Sequence, residues 1–208
     1  MINSRITIWV MVVVLVANSL SKADLIGYTA NETGNSIVYL TDFDTGEQTV
    51  IGMPSGIDTI TALEVSPVNG RLYAINLHEN LYEINISTGV GTLLGNLNAL
   101  GSGLHSLMFA PNGTLYGLSN WNDNGLFEIN TSTAETTLIG SLNPFISVTA
   151  LAIDNGGRAI GYDSGADWLF EIDLTDGSTT SLGQLDGDFF AFDYGPDGTL
   201  YALDYHSD

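Results

Sequence analysis

The sequence predicts an all-β protein, a β-propeller built from four-stranded antiparallel blades. The first observation is a segment that occurs four times without a gap: VYLTDFDTGEQTVIG, LYEINISTGVGTLLG, LFEINTSTAETTLIG and LFEIDLTDGSTTSLG. The second is the spacing of the glycines that close these segments, Gly52, Gly95, Gly140 and Gly183, which lie 43, 45 and 43 residues apart. A period of about 40–45 residues with several short strands per unit is typical of propeller blades.

Each repeat is predicted to contain four strands, named A to D in chain order. Strands A and B come from LEVSPVNGRLYAINL, LMFAPNGTLYGLSN, LAIDNGGRAIGYDS and FDYGPDGTLYALDY, where a tight glycine-containing turn separates two apolar runs. Strands C and D are the two halves of the segment closed by glycine. One side of strand C is consistently apolar, as in Tyr82, Ile84 and Ile86. A single blade cannot bury that side, so we expect each blade to pack against the next.

The strand count predicts an incomplete or open propeller. The repeats begin with a B-type strand, LIGYTA, and end with an A and a B strand, which gives about four repeats and a partial fifth, residues 184–208. The chain is then either part of a longer propeller of roughly six to eight blades, or an open arc or strained four-bladed ring. Unpaired blade edges would also allow self-association.

The first 23 residues have the pattern of a secretory signal peptide. Arg5 precedes the mostly apolar run 6–17, and the small-residue site Ser21-Lys22-Ala23 follows. The run is shorter than the roughly 20 apolar residues that a membrane-spanning helix needs. We therefore predict a signal at residues 1–23, a propeller domain at residues 24–208, a secreted, periplasmic or extracellular location, and no stable membrane span after cleavage. An uncleaved membrane anchor is the alternative.

The chain is strongly acidic and lacks cysteine. Its formal charge of −20 at pH 7 becomes −22 when the predicted signal is removed with Arg5 and Lys22. Such a chain repels phosphate backbones and anionic membranes, so nucleic acid is not an expected partner, and metal cations or basic partners are favoured. Without cysteine the chain has no disulfide, no thiol nucleophile and no thiolate metal site.

The repeated sequence pattern resembles that of a known group of proteins. It includes turns such as PNGT before LY and strands such as LYEIN and TLLG. These are the secreted bacterial β-propeller proteins of the YVTN/NHL-like and quinoprotein-like group. The resemblance covers residues 25–208 and implies the fold. It implies no single activity, because the group includes lactonase-like enzymes, quinone- or metal-dependent enzymes and surface proteins without an assigned role.

Loop variability indicates which end of the propeller is functional. The A–B and C–D turns are short and uniform, whereas the B–C and D–A connections differ from blade to blade. Binding sites are usually built from variable loops on a rigid scaffold. The B–C loops are predicted at 31–36, 78–80, 120–125 and 163–167, and the D–A loops at 53–60, 96–103, 141–147 and 184–188.

Polar and aromatic residues of these loops are the candidate ligand-binding residues: His78, Trp121, Asp123, Asp163, Asp167 and Trp168. A tryptophan ring among aspartates and asparagines suits stacking against a sugar. For Trp168 the alternative is packing between blades, because apolar residues follow it directly.

Calcium is the only cofactor that the sequence suggests. Asn120, Asn122 and Asn124 place oxygen ligands on alternate residues, as at the start of a calcium loop, but no carboxylate stands at the twelfth position. Asp42 and Asp44 form a second oxygen-rich group, in a C–D turn whose counterparts lack such carboxylates. An ordinary polar turn is the alternative for both groups.

No known catalytic motif is present in the sequence. Glu64 and Asp193 share one position of strand A, where other blades have Met108 and Ala152, and His105 lies near the start of its strand A. If these residues face a central channel, Glu64, Asp193 and His105 could form an acid–base or metal group. Polar residues that face channel water are the alternative.

These observations predict a secreted, non-enzymatic binding or surface-interaction module whose ligand is an unknown protein or glycan and whose binding face is formed by the variable loops. One alternative is a metal-dependent hydrolase of the lactonase-like type. The other is a truncated propeller fragment without an independent function.

Overall fold

All regular structure in the described part of the chain is β-strand. A computed structural model describes residues 26–30, 36–54, 57–97, 104–119, 124–145, 147–187, 189–195 and 197–204. The predicted signal peptide, residues 1–23, lies outside these ranges. Among the described residues, no helix has the length and apolar character that a membrane crossing requires.

Seventeen strands follow one another along the described chain, and each has five or six residues. They are β1 (Ile26–Ala30), β2 (Val38–Asp42), β3 (Gln48–Gly52), β4 (Ile60–Val65), β5 (Leu72–Asn76), β6 (Asn80–Ile84), β7 (Gly91–Asn96), β8 (Leu104–Phe109), β9 (Leu115–Ser119), β10 (Gly125–Ile129), β11 (Thr136–Ser141), β12 (Val148–Ile153), β13 (Ala159–Asp163), β14 (Trp168–Ile172), β15 (Thr179–Gln184), β16 (Phe189–Tyr194) and β17 (Leu200–Asp204).

The strands form five antiparallel sheets in chain order. The strands β4–β7, β8–β11 and β12–β15 make three four-stranded sheets, each of which is one predicted repeat. The strands β1–β3 form a three-stranded sheet with B, C and D positions, and β16–β17 form a two-stranded sheet with A and B positions. The predicted all-β architecture of about four repeats plus a partial fifth is therefore confirmed.

The sheets are arranged as propeller blades around four inner strands. The strands β4, β8, β12 and β16 lie side by side in this order, and β1 lies beside β4. This is the arrangement of a four-bladed propeller with an additional partial sheet. Within the described ranges, no strand pairing joins the last sheet to the first.

The hydrophobic core lies between successive blades. Tyr82 and Ile84 of β6 pack in one cluster with Ala30 and Val38 of the first sheet. Their counterparts in β10 and β14 pack in the same way against the blade that precedes each of them. Tyr82 and Ile84 are thus buried by a neighbouring blade, as the repeat predicts. The prediction is wrong for Ile86, which lies beyond the end of β6 in the C–D turn and is 40% exposed. Burial of each large apolar side chain contributes about 1.5–3 kcal/mol.

The closing glycine of strand D lies against the C–D turn of the next blade. A Cβ atom on Gly52 would stand 2.7 Å from the Cα of Gly89, and one on Gly95 would stand 2.7 Å from the Cβ of Ala134. A Cβ atom on Gly140 would overlap the carbonyl oxygen of Asp176. Only glycine permits this approach, which explains why the repeat ends in glycine.

The two arginines of the propeller domain link turns to strands. Arg71 and Arg158 occupy equivalent A–B turns, and each pairs with the glutamate of strand C in its own blade, Glu83 at 2.8 Å and Glu171 at 2.9 Å. In the third blade Thr114 takes the place of arginine, and Glu128 has no ion-pair partner among the described residues. Exposed pairs of this kind stabilise by about 0–1 kcal/mol.

We predict that the substitution Gly140→Ala lowers the free energy of unfolding by at least about 2 kcal/mol, because the added methyl overlaps backbone atoms of the next blade. Urea unfolding of the full chain measures this change. The control is Gly156→Ala in an exposed turn, where the nearest atom to an added Cβ is the Asp154 carboxylate oxygen at 3.2 Å. A loss for Gly140→Ala no larger than that for Gly156→Ala would contradict the proposed blade contact.

Candidate functional site

The strand registers place the two kinds of connection at opposite ends of each blade. In the second blade, Asn76 pairs with Ile60, and Asn80 pairs with Asn96, so the D–A and B–C connections leave from this end. The pair Val65–Leu72 marks the other end, with the A–B and C–D turns. The third and fourth blades have the same registers. We call the two ends the loop face and the turn face.

A buried polar residue at the end of strand B organises the loop face. Asn76, Ser119 and Asp163 occupy this position in three successive blades and are 3%, 0% and 2% exposed. The Oδ1 atom of Asn76 accepts hydrogen bonds from the backbone N–H groups of His78 (3.1 Å) and Asn80 (2.9 Å). Its Nδ2 atom donates to Asp58 at 2.8 Å. Asn76 therefore ties the B–C loop to the D–A loop.

Asp163 does the same in the fourth blade. Its Oδ1 atom accepts from the N–H of Gly165 at 2.8 Å, and its Oδ2 atom accepts from the N–H of Ser147 at 3.4 Å. In addition, the Ser164 N–H donates to the Ser147 carbonyl at 3.0 Å. Its counterpart in the second blade is the 3.0 Å bond from the Leu77 N–H to the Thr59 carbonyl.

The last residue of each B–C loop makes a second repeated tie. Glu79, Asn124 and Asp167 have φ values of 58°, 36° and 58°, in the left-handed region that Asn and Asp tolerate better than most residues. Their carbonyls accept hydrogen bonds from the N–H groups of Leu97, Leu142 and Leu185, each at 2.9 Å. The B–C loop is thus held by the D–A connection on both sides.

His78 projects from this framework. Its Nε2 atom lies 3.0 Å from Oδ2 of Asp58, and its side chain is 73% exposed. The neighbouring Leu77 is 59% exposed. The structure therefore places the predicted residue His78 on the loop face, beside an apolar side chain and a carboxylate.

The other predicted ligand-binding residues lie in different structural environments. Asp167 is exposed and accepts a hydrogen bond from the Tyr162 hydroxyl at 2.9 Å. Trp168 is half-buried and packs against the core cluster of the third and fourth blades, as its alternative interpretation predicts. Asp163 is buried and uses both carboxylate oxygens to hold the loop backbone, as described above. Trp121 and Asp123 lie outside the described residues.

The residues predicted to hold calcium do not converge in the described part of the chain. Asp42 uses Oδ1 to accept the N–H groups of Asp44 and Thr45, both at 2.9 Å, which is the hydrogen bonding of a polar turn on the turn face. Asn124 donates through Nδ2 to the Phe145 carbonyl, and Asn120 and Asn122 lie outside the described residues. Among the described residues, no group of three or more His, Asp or Glu side chains could hold a metal ion.

The predicted acid–base residues are brought together in part. Glu64 on β4 is 5% exposed, and burial, together with the nearby charge of Asp193 on β16, raises its pKa well above the usual range. The N–H of Val65 opposes this effect but does not cancel it. Met108 and Ala152 are buried at the equivalent positions. The inner strands thus place two carboxyl groups near each other, toward the turn face.

His105 lies at a different level of the inner strands. It occupies a bulge of β8 between Leu104 and Ser106, three residues before Met108. Three residues correspond to roughly 10 Å along a strand. Its backbone is therefore nearer to the loop face than the Glu64–Asp193 level, and its side chain is not among those described.

Comparisons with known proteins support the fold and leave the activity open. No protein-family model and no curated protein matches this chain. Solved structures do match: a protein of unknown function from Bacteroides thetaiotaomicron has a TM-score of 0.72 and 17% identity over 86% of this chain and 54% of that one. The present chain therefore spans about half the length of that protein.

Two further solved structures also match this chain. A chain of a nidogen/laminin complex has a TM-score of 0.67 and 14% identity over 93% of this chain and 81% of that one. Virginiamycin B lyase from Staphylococcus aureus has a TM-score of 0.61 and 14% identity over 89% of this chain and 61% of that one. At these identities the likeness shows a shared β-propeller fold.

We predict that Asn76→Ala lowers the free energy of unfolding by about 1–3 kcal/mol, because two N–H groups of the B–C loop lose their buried acceptor. The matched control is His78→Ala, which removes an exposed contact on the same loop and should cost at most about 1 kcal/mol. Urea unfolding measures both. Amide exchange of His78 and Asn80 should accelerate in Asn76→Ala alone, and equal behaviour of the two variants would contradict the framework role.

Proposed function

We propose that this protein is a secreted, non-enzymatic binding module that holds a glycan or protein ligand on the loop face. The observation that carries the proposal is the repeated framework beneath that face. Buried Asn76 accepts from backbone N–H groups of its B–C loop and donates to the Asp58 side chain of the D–A loop. Buried Asp163 accepts from backbone N–H groups of both loops in its blade, so these loops are held in place before a ligand arrives. A preorganised surface loses less conformational freedom on binding, which favours affinity.

The side chains that project from the framework are suited to recognition. Leu77 and Met53 are 59% and 55% exposed on this face, and His78 stands beside the Asp58 carboxylate. An apolar contact next to hydrogen-bonding groups suits a sugar ring, whose faces are apolar and whose edges carry hydroxyls. The formal charge of −20 favours a neutral or basic ligand over an acidic one.

The fold itself serves both binding and catalysis in other proteins. One similar chain was solved in a nidogen/laminin complex, and another is a lyase. Function must therefore be argued from the site. In this chain the acidic pair, Glu64 and Asp193, lies toward the turn face, away from the B–C and D–A loops. The loop face is therefore the better-supported binding site.

A glycan array tests the proposal. We predict that the full chain binds a defined subset of neutral or basic glycans, and that the double substitution Leu77→Ser with His78→Ala weakens binding at least about tenfold. The control is Val68→Ser, since Val68 is 66% exposed in an A–B turn on the opposite face. It removes a similar apolar side chain and should leave binding unchanged.

An array of cationic and neutral peptides, probed with the same three proteins, distinguishes a protein ligand from a glycan. Binding to peptides alone, lost in the loop-face variant, would identify a protein ligand on the same face. Binding that survives the loop-face substitutions and is lost in Val68→Ser would place the site on the turn face and refute the proposal. The absence of binding on both arrays would also count against it.

A further inference from the structure

Glu64 places a buried carboxyl group at an inner-strand position that is apolar in the next two blades. Met108 and Ala152 fill the equivalent positions of β8 and β12 with apolar atoms. Glu64 is 95% buried, since 5% of its surface is exposed, and its Oε2 atom has no hydrogen-bond partner among the described residues. A charged carboxylate in such a place would be costly, because burial without a partner disfavours the ionised form.

The group that acts on Glu64 from across the inner strands is also a carboxyl. Asp193 on β16 occupies the same strand position in the last sheet, and its charge reaches Glu64. The Oδ1 atom of Asp193 accepts the Tyr194 N–H at 2.7 Å. When one of two neighbouring carboxyls is ionised, the other keeps its proton more firmly.

We propose that Glu64 stays protonated in the folded protein at neutral pH, because its carboxyl group is buried and its Oε2 atom lacks a hydrogen-bond partner, and that loss of this proton destabilises the inner strands. The strands β4 and β16 are the first and last of the four inner strands, and no strand pairing in the described ranges joins their sheets. An ionised Glu64 would be a buried charge without a partner for Oε2 and would be repelled by Asp193, so it would lower the stability of the folded state.

A proton explains these observations better than a bound cation does. A divalent ion needs several oxygen ligands, six to eight for calcium in typical sites. In the described part of the chain, Glu64 and Asp193 belong to no group of three or more His, Asp or Glu side chains that could hold a metal. A single proton needs no further ligand.

Few other titratable groups share the surroundings of Glu64. Tyr73 of β5 is its register partner and is buried. Tyr28 of β1, on the neighbouring sheet, has its pKa raised by burial and stays neutral near pH 7. His105 of β8 lies at the bulge three residues before the Glu64 level. Asp193 is the charged side chain that shifts the pKa of Glu64.

The direction of the pH effect follows from the raised pKa of Glu64. The stability linked to its neutral form is fully present below the pKa of a glutamate in the unfolded chain, and it is lost as the pH rises through the pKa of Glu64 in the folded protein. The folded protein should therefore lose stability toward alkaline pH, and a side chain that cannot ionise at position 64 should remove that loss.

Thermal unfolding of the full chain between about pH 4 and pH 9 tests the inference. Glu64→Gln should raise the unfolding midpoint by roughly 2–8 °C at the alkaline end and leave it unchanged at the acidic end. Asp193→Asn should give a smaller rise, because it removes the opposing charge and leaves the burial of Glu64. Glu128→Gln, an exposed strand C glutamate, is the matched control and should follow the unmodified protein at every pH.

If Glu64→Gln folds poorly, a second variant at the same position can test the inference. Glu64→Met copies the residue at the equivalent position of the next blade and should show the same pH-dependent gain. In an infrared spectrum at pH 7, the band of a protonated carboxyl should be present in the unmodified protein and absent in Glu64→Met.

Three results would overturn the inference. One is a difference between Glu64→Gln and the unmodified protein that does not change with pH. Another is the absence of the protonated-carboxyl band at pH 7. The third is a midpoint that millimolar calcium or magnesium chloride raises in the unmodified protein but not in Glu64→Gln, which would mean that the pair holds a cation.

Discussion

The fold depends on the close approach of the outer strand of one blade to the C–D turn of the next. At Gly140 the approach leaves no room for a single methyl group, and Gly52 and Gly95 make equivalent contacts. The turns that receive these glycines use left-handed backbone at Gly89, Ala134 and Gly177. The contact sets the distance between blades at their outer edge, while Tyr82, Phe127, Phe170 and their neighbours fill the space nearer the axis. Gly183 has no such neighbour, because the last described sheet contains only A and B strands.

The turn face and the loop face differ because different kinds of contact hold them in place. The turn face carries the C–D turns, which contact strand D of the preceding blade, and the A–B turns, which reverse the chain tightly, so its sequence repeats. On the loop face the backbone is held from inside, by Asn76 in one blade and by Asp163 in another, and the outward side chains are free to differ. Buried side chains accept several backbone hydrogen bonds of these loops, and the exposed side chain of His78 is not part of that framework.

Repetition also makes an exception easy to recognise. The inner-strand position that holds Met108 and Ala152 is an ordinary core position in two blades, and an acidic residue stands there in two others. The sequence reveals this substitution but not its consequence, because the effect of Glu64 depends on the charge of Asp193, which lies 129 residues further along the chain. Their proximity follows only from the curvature of the four inner strands.

Much of the architecture is readable from the sequence because the repeat is local. The strand order A to D, the tight turns, the apolar side of strand C and the variable loops all follow from residues that are near one another in the chain. The candidate site is less predictable. His78 could be selected as a loop residue, whereas Asn76 and Ser119 were missed, although a polar residue recurs at the end of strand B and could have been noticed. What the sequence determined by itself is the blade, since propensity and periodicity act over a few residues. The tertiary structure decided which polar residues are buried in the framework, which project from it and which carboxyls meet, because burial and electrostatic proximity depend on how the blades pack around the axis.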